Sequence, residues 1–411
     1  MKGVEWCSER EKQTSLYCRG GIIADEMGLG KTIMMIGTIL SNFSMPNLII
    51  LPVVLVEQWK AQFERTTGHS PLVYHGVTKA RVTIDQLQRT PVVLTTYGTV
   101  LSDSRSMNRK LEQIKWTRII CDEAHHMRNK RTKVAKSVMK LSGQIKWLIT
   151  GTPIQNRIHD LYSLFDILSI SNKAYTDINT LCNIIKTTVL RRTKKEVGIN
   201  IPDLTIQRVP IAWKNEKERQ ISEELHETFN FNNKIEKQHI LSEKGAVLSL
   251  MLFARQLCIY PNMAKKHIHR MKSLGAVSPE KLTSEGLTHK SKMDGVIEKI
   301  VERKDNKNRK IVFTNFKEEI DHIKERLEEN GMKVKAIDGR INKYMRESIL
   351  TEDLDVLILQ IKTGNEGLNL QKYSEIYFVT PDWNPKMEEQ AIGRCHRLGQ
   401  TKPVHVFRFI M

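Results

Sequence analysis

No two cysteines in this sequence are spaced C-x-x-C. The six present (Cys7, Cys18, Cys121, Cys182, Cys258 and Cys395) are scattered over 411 residues. That argues against a structural zinc site and a disulfide framework, and for a reducing, intracellular compartment. Long apolar runs are also missing. The most hydrophobic segment runs Leu48–Leu51, breaks at Pro52 and resumes at Val53–Val56. That falls far short of the roughly 20 residues a membrane-spanning helix needs, so no membrane partner is expected. The N-terminus lacks the charged-then-apolar pattern of a secretion signal. There is no low-complexity tract and no short repeat. Acidic residues are the minority: 46 Asp and Glu against 65 Lys and Arg give a net charge of +19. Such an excess favours a polyanionic partner and says nothing about fold. With 40% hydrophobic residues, the 411-residue chain can bury full cores in two or three domains.

Two short segments carry chemistry. Residues 24–32 read ADEMGLGKT and residues 120–126 read ICDEAHH. The first is a phosphate-binding loop that opens a helix at Lys31. Gly28 and Gly30 free its backbone N–H groups to turn toward phosphate oxygens. Lys31 is placed for the outer phosphates and the Thr32 hydroxyl for Mg²⁺, and the helix N-terminus favours an anion. The loop departs from G-x-x-x-x-G-K-[ST] at its first position, where Asp25 replaces glycine. The second segment ends an apolar strand and puts two carboxylates at its tip. Asp122 is placed to hold the metal, and Glu123 to orient and deprotonate an attacking water. Adjacent His125 and His126 lack metal-ligand spacing, so zinc is rejected and Mg²⁺ is the only metal expected.

The first half of the chain alternates apolar strands with helices. Strands are read at Leu48–Leu51, Val92–Thr95, Arg118–Cys121 and Trp147–Thr150, with helices at Thr32–Leu40 and Leu55–Arg65. This alternation implies a parallel sheet with crossovers. From about Asn200 to Ser291 strand signals fade. Charged helical periodicity takes over at Glu216–Glu227, then a more apolar helix at Leu248–Cys258 and a loop at Ser273–Lys290. Strands return at Lys310–Thr314, Lys333–Ile337, Asp355–Gln360, Glu375–Thr380 and Val404–Ile410. The expected fold is α/β: a nucleotide-binding lobe over 1–200, a mostly helical segment over 201–290 and a second lobe over 291–411.

Further motifs give the chain a specific resemblance. WLITGTPIQN (147–156), QWKAQF (58–63), LTTYGTV (94–100) and LRRTKKEV (190–197) lie in the first half. IVFTNF (311–316), GLNL (367–370), DWNP (382–385) and QAIGRCHRLGQTKPVHVFR (390–408) lie in the second. In this order the chain resembles the motor of the Swi/Snf-type ATP-dependent DNA translocases, a branch of helicase superfamily two. The resemblance implies two RecA-like lobes with one ATP between them. It implies that Asp25, Met27, Gly28, Leu29, Gly30, Lys31 and Thr32 hold the nucleotide. Thr150, Gly151 and Thr152 would couple the phosphate site to lobe motion. Arg394 and Arg397, three apart and therefore on one face of a helix, would act as arginine fingers, with Gln390 and Gly393 placing that helix. DNA contacts are implied at Gln58, Thr95, Thr96 and Tyr97, and at Lys362 and Asn369. Trp59 and Tyr97 are suited to stacking on bases, although core packing explains both as well.

Several positions depart from the family pattern. A glutamine usually lies upstream of a Gly-Val-x-Trp context. Gly3, Val4 and Trp6 fit that context, so the glutamine would fall just before Met1. Val54 stands where a hydroxyl residue is usual, and Asn365 and Glu366 stand where the fifth motif has glycine and an apolar residue. The sequence reads as a fragment cut at both ends or as an unusually minimal motor. It shows neither a zinc-binding RING insertion nor a histone-reading accessory domain. Two basic runs, Arg128–Lys140 and Lys186–Lys195, contain no acid and are read either as solvated faces or as tracks for a phosphate backbone.

The expected activity is DNA-stimulated ATP hydrolysis driving movement along double-stranded DNA, with little sequence specificity. Nucleosomes and other DNA-bound proteins fit equally as cargo. Two other readings stay open: a strand-separating DNA or RNA helicase, and a nucleotide-gated DNA-binding module with poor turnover. TTYGTV, DWNP and HRLGQTKPV favour the translocase, as do second-lobe loops such as Asn365–Gly367, too short for a strand-splitting hairpin. Intact Lys31, Glu123, Arg394 and Arg397 argue against the module. The chain would work in the nucleus of a eukaryote, and otherwise in the cytoplasm or at a viral replication site.

Overall fold

The computed structural model describes residues 2–12, 17–151, 153–154, 157–227, 246–263, 290–361 and 368–411. The chain divides into two compact units, Met1–Asn200 and Ile201–Met411. Each is built on a fully parallel sheet, so the α/β expectation is met.

In the first unit the strands are β1 Gly20–Ile23, β2 Asn47–Leu51, β3 Leu72–Tyr74, β4 Val92–Thr96, β5 Trp116–Cys121, β6 Gly143–Ile149 and β7 Val189–Leu190. They lie in the order β3-β4-β2-β5-β6-β1-β7. Strand β2 reads as an apolar run from Leu48, and β5 only from Ile119, because both faces of this parallel sheet are covered. Side chains alternate between two cores: Leu48 and Ile50 enter one, Ile49 and Leu51 the other.

Strand β1 escaped the sequence reading because half of it is glycine. Its glycines are required by close approach. A Cβ on Gly20 (φ +100°) would lie 2.1 Å from the Lys146 carbonyl oxygen, and one on Gly21 would lie 2.3 Å from that of Thr188. The N-terminal helix Lys2–Lys12 is tied to this sheet by a buried charge. Glu11, fully buried, accepts from Arg118 Nε at 2.6 Å, Asn42 Nδ2 at 2.8 Å and Trp147 Nε1 at 2.8 Å. Removing one partner of such a pair strands the other charge. Arg118→Leu is therefore expected to lower the stability of the first unit by about 3–5 kcal/mol, measured as a shift in its denaturant midpoint.

The second unit contains β8 Leu204–Pro210, β9 Lys310–Thr314, β10 Val334–Ile337, β11 Val356–Gln360, β12 Glu375–Phe378 and β13 Val404–Ile410. Their order is β10-β11-β9-β12-β13-β8. Strand β8 corrects the expectation that strand signals fade after Asn200. It pairs in parallel with β13 along its full length. It is an edge strand, with Ile206 50% exposed, so it carries no buried apolar run. Helices Glu216–Glu227 and Ala246–Ile259 fall where charged and apolar periodicity placed them. The loop read at Ser273–Lys290 lies, except for Lys290, outside the described residues.

Candidate nucleotide site

In a parallel sheet, loops leaving the carboxyl ends of neighbouring strands converge. Strands β5, β6 and β1 are neighbours, and their carboxyl ends lead into Asp122, Thr150 and the loop from Ala24. The motifs read separately in the sequence therefore meet along one edge. Gly28 and Gly30 hold φ of +90° and +75°, the left-handed region that favours glycine, and Gly30 caps the helix Lys31–Ser41. Lys31 Nζ donates to the carbonyls of Asp25 at 2.8 Å and Glu26 at 3.3 Å. A methyl group on Gly151 would lie 3.3 Å from Met27 Cγ and 4.0 Å from Lys31 Nζ. The third motif is thus seated against the phosphate loop. Thr150 is buried and its N–H donates to Ile23 O at 3.0 Å. Thr152 lies outside the described residues.

The carboxylate pair ends β5. Asp122 is 8% exposed. Its Oδ1 accepts from the Glu123 N–H at 2.8 Å, and its Oδ2 accepts from Trp59 Nε1 at 2.7 Å. Burial first, then the Glu123 charge, push the Asp122 carboxyl above its usual range; Trp59 and Lys31 pull it back. Glu123 has φ +49°, a left-handed conformation for a non-glycine residue at the site itself. His125 Nδ1 lies 3.3 Å from Glu123 Oε2. For Mg²⁺ the donor set fits. A carboxylate and a hydroxyl, Asp122 and Thr32, are hard oxygen ligands, and Mg²⁺ takes one or two from protein and the rest from water and phosphate.

Asp25 is not aimed at phosphate, which corrects its place in the nucleotide set. The side chain is fully buried and accepts from the Arg192 N–H at 3.0 Å and Arg192 Nε at 3.2 Å. Next to it, Glu26 accepts from the Lys194 N–H at 2.9 Å, and Lys194 Nζ lies 3.0 Å from its Oε1. The Asp that replaces a loop glycine therefore anchors the loop to LRRTKKEV. Only the backbone carbonyl of Asp25 meets Lys31.

The residues expected at DNA divide. Gln58 and Asn369 are exposed, and Lys362 lies outside the described residues. Thr95, Thr96 and Tyr97 are buried. Thr95 Oγ1 donates to Tyr74 O at 2.8 Å, Thr96 Oγ1 caps the helix Tyr97–Asp103, and Tyr97 Oη donates to Asp122 O at 2.7 Å. The expected DNA contact therefore does not rest on these three side chains.

In the second unit, the helix Pro385–Cys395 carries Gln390, which is 4% exposed, and Arg394 in its last turn. The helix ends before Arg397, so the two arginines do not share a helix face; Arg397 lies past the cap at His396. Burial first, then the Arg394 charge, lowers the pKa of Arg397. Gln400, missed as a site residue, ties this loop down. Its Nε2 donates to the carbonyls of Gln371 at 2.8 Å, Tyr373 at 3.1 Å and Cys395 at 3.3 Å.

Residues 1–174 match the SNF2-related domain, and residues 291–399 match the helicase conserved C-terminal domain. The chain belongs to the Snf2-type helicases of superfamily two. The domains of this Snf2-type chain are those of an ATP-dependent, helicase-type enzyme. It is similar to an uncharacterized ATP-dependent helicase of Mycoplasma pneumoniae, at 28% identity over 100% of this chain and 39% of that protein. It is also similar to chromodomain-helicase-DNA-binding protein 8 of Xenopus tropicalis, at 27% identity over 95% of this chain and 20% of the relative. The chain thus spans well under half the length of these curated relatives. A solved Sulfolobus solfataricus SWI2/SNF2 ATPase core in complex with dsDNA aligns over 100% of this chain and 86% of that one, at 25% identity and a TM-score of 0.45.

Proposed function

We propose that this chain is a DNA-stimulated ATPase that moves along intact double-stranded DNA and displaces proteins bound to it. The observation that carries the reading is the convergence of the phosphate loop, Asp122–Glu123 and Gly151 at one sheet edge, in a chain of net charge +19. Lys31 would exchange the carbonyls of Asp25 and Glu26 for the outer phosphates. Asp122 and Thr32 would hold Mg²⁺, which when bound neutralises charge on the phosphate oxygens. Glu123 would take the proton of the attacking water. Arg394 and Arg397 would supply positive charge to the leaving and transferring groups. The basic runs Arg128–Lys140 and Lys186–Lys195 are candidate tracks for the phosphate backbone. The compartment proposed is a reducing intracellular one; among the described residues no helix is long and apolar enough to cross a membrane.

The test separates movement from unwinding. The full chain is given ATP and either a triplex, whose third strand lies in the major groove of intact duplex, or a forked duplex. Third-strand displacement that depends on ATP, without opening of the fork, is expected. Efficient opening of the fork would make the chain a strand-separating helicase. Turnover that ignores duplex DNA and moves neither substrate would leave a nucleotide-gated module.

A further inference from the structure

A buried tryptophan or tyrosine keeps its polar hydrogen bonded to something. In a core any carbonyl will serve, as when Trp116 Nε1 donates to Leu111 O at 3.1 Å. Trp59 and Tyr97 are different. They come from two segments far apart in sequence, QWKAQF and LTTYGTV, yet both spend their single donor on Asp122. Trp59 Nε1 meets the carboxylate Oδ2 at 2.7 Å, and Tyr97 Oη meets the backbone carbonyl at 2.7 Å. Asp122 is thus held at its side chain and its backbone at once. A third bond fixes its other oxygen, from the Glu123 N–H at 2.8 Å. A carboxylate offers about four lone-pair positions, so each oxygen keeps capacity for a metal or a metal-bound water.

Both donors sit directly beside surface positions. Gln58, next to Trp59, is exposed, and so is Gly98, next to Tyr97. From Tyr97 the packing continues toward the second carboxylate. Its ring lies 5.5 Å from that of His126, His126 stacks on His125 at 4.8 Å, and His125 reaches Glu123. We infer that Trp59 and Tyr97 are positioning residues for the Mg²⁺-holding carboxylate, through which contact at the Gln58 and Gly98 surface is passed to the nucleotide site. The inference rests on the ATPase reading above. It gives these two aromatics a role that neither base stacking nor core filling supplies: Trp59 is 1% exposed and Tyr97 7%, so neither ring is available to a base.

The test uses the full chain with Trp59→Phe and Tyr97→Phe. The probe is a fluorescent, non-hydrolysable ATP analogue, and the readout is the Mg²⁺ concentration giving half-maximal binding, with and without duplex DNA. Losing a partner that orients a metal ligand typically costs 10–100-fold in metal affinity. Each variant is therefore expected to need about tenfold more Mg²⁺, with binding in EDTA and affinity for duplex unchanged. DNA should shift the Mg²⁺ midpoint less in the variants than in the parent. Parental Mg²⁺ midpoints combined with a lowered denaturation midpoint would reduce both residues to core packing and overturn the inference alone. A parent chain that binds no nucleotide would overturn the ATPase reading and this inference with it. Tyr97→Phe removes a single oxygen and keeps the ring, so it remains informative if Trp59→Phe fails to fold.

Discussion

Glu123→Gln is expected to bind ATP as the parent chain does and to lose its turnover by about 10²–10⁴-fold, the usual contribution of a positioned general base. The exchange is isosteric, so the left-handed backbone at φ +49° is retained. On the proposed reading it removes the group that would accept the water's proton, and it leaves the loop before Lys31 untouched. It also removes the neighbouring charge that, after burial, raises the Asp122 carboxyl. Lys31→Ala provides the contrast. Lys31 lies on the carbonyls of Asp25 and Glu26, where it is poised to carry positive charge to the outer phosphates. Its loss is expected to weaken nucleotide affinity itself. Equilibrium binding of a fluorescent nucleotide and single-turnover hydrolysis separate the two outcomes. Equal loss of binding in both variants would remove Glu123 from the role of base.

What the sequence made legible follows from how each element is buried. Strands β2, β9 and β11 lie deep in parallel sheets and are covered on both faces, so they appear as largely apolar runs, while β5 shows one only from Ile119. Strand β1 does not, because close approach to the Lys146 and Thr188 carbonyls demands glycine where a strand former would have marked it. Strand β8 does not, because an edge position permits exposed polar residues. The glycine loop before Lys31 and the Asp122–Glu123 pair were legible because their signals are local: a helix start, a strand tip. Partnerships across long separations were not. Nothing near Asp25 in sequence announces Arg192, and nothing in QWKAQF shows that the Trp59 N–H points at Asp122. The motif LTTYGTV as a whole suggests DNA contact, but not which way Thr95, Thr96 and Tyr97 point. In the structure their side chains hold Tyr74, a helix start and Asp122.

The same limit applied to Arg394 and Arg397, whose spacing of three suggested one helix face. Their actual arrangement makes a stronger case for chemistry. Arg394 closes the helix Pro385–Cys395 and Arg397 follows in the turn beyond it. That turn is held by Gln400 on three carbonyls and by the Leu370 N–H on Arg394 O at 3.2 Å. Arg397 Nε is buried without a hydrogen-bond partner among the described residues. Burial and the Arg394 charge both disfavour its protonated form. Two like charges held close on a braced turn cost free energy that a bound polyanion would offset. On the ATPase reading proposed above, the γ-phosphate in its transition state would be such an anion. Arg394→Ala and Arg397→Ala are therefore expected to bind ATP and duplex near parental affinity while losing DNA-stimulated turnover by on the order of 10³–10⁵. Lysine at either position should rescue poorly, because its ammonium lacks the planar fork that grips two phosphate oxygens. Near-normal turnover in both alanine variants would return these arginines to an ordinary basic surface. A loss confined to nucleotide affinity would make them ground-state binding charges, since a finger acts on the charge that develops only as the γ-phosphoryl group transfers.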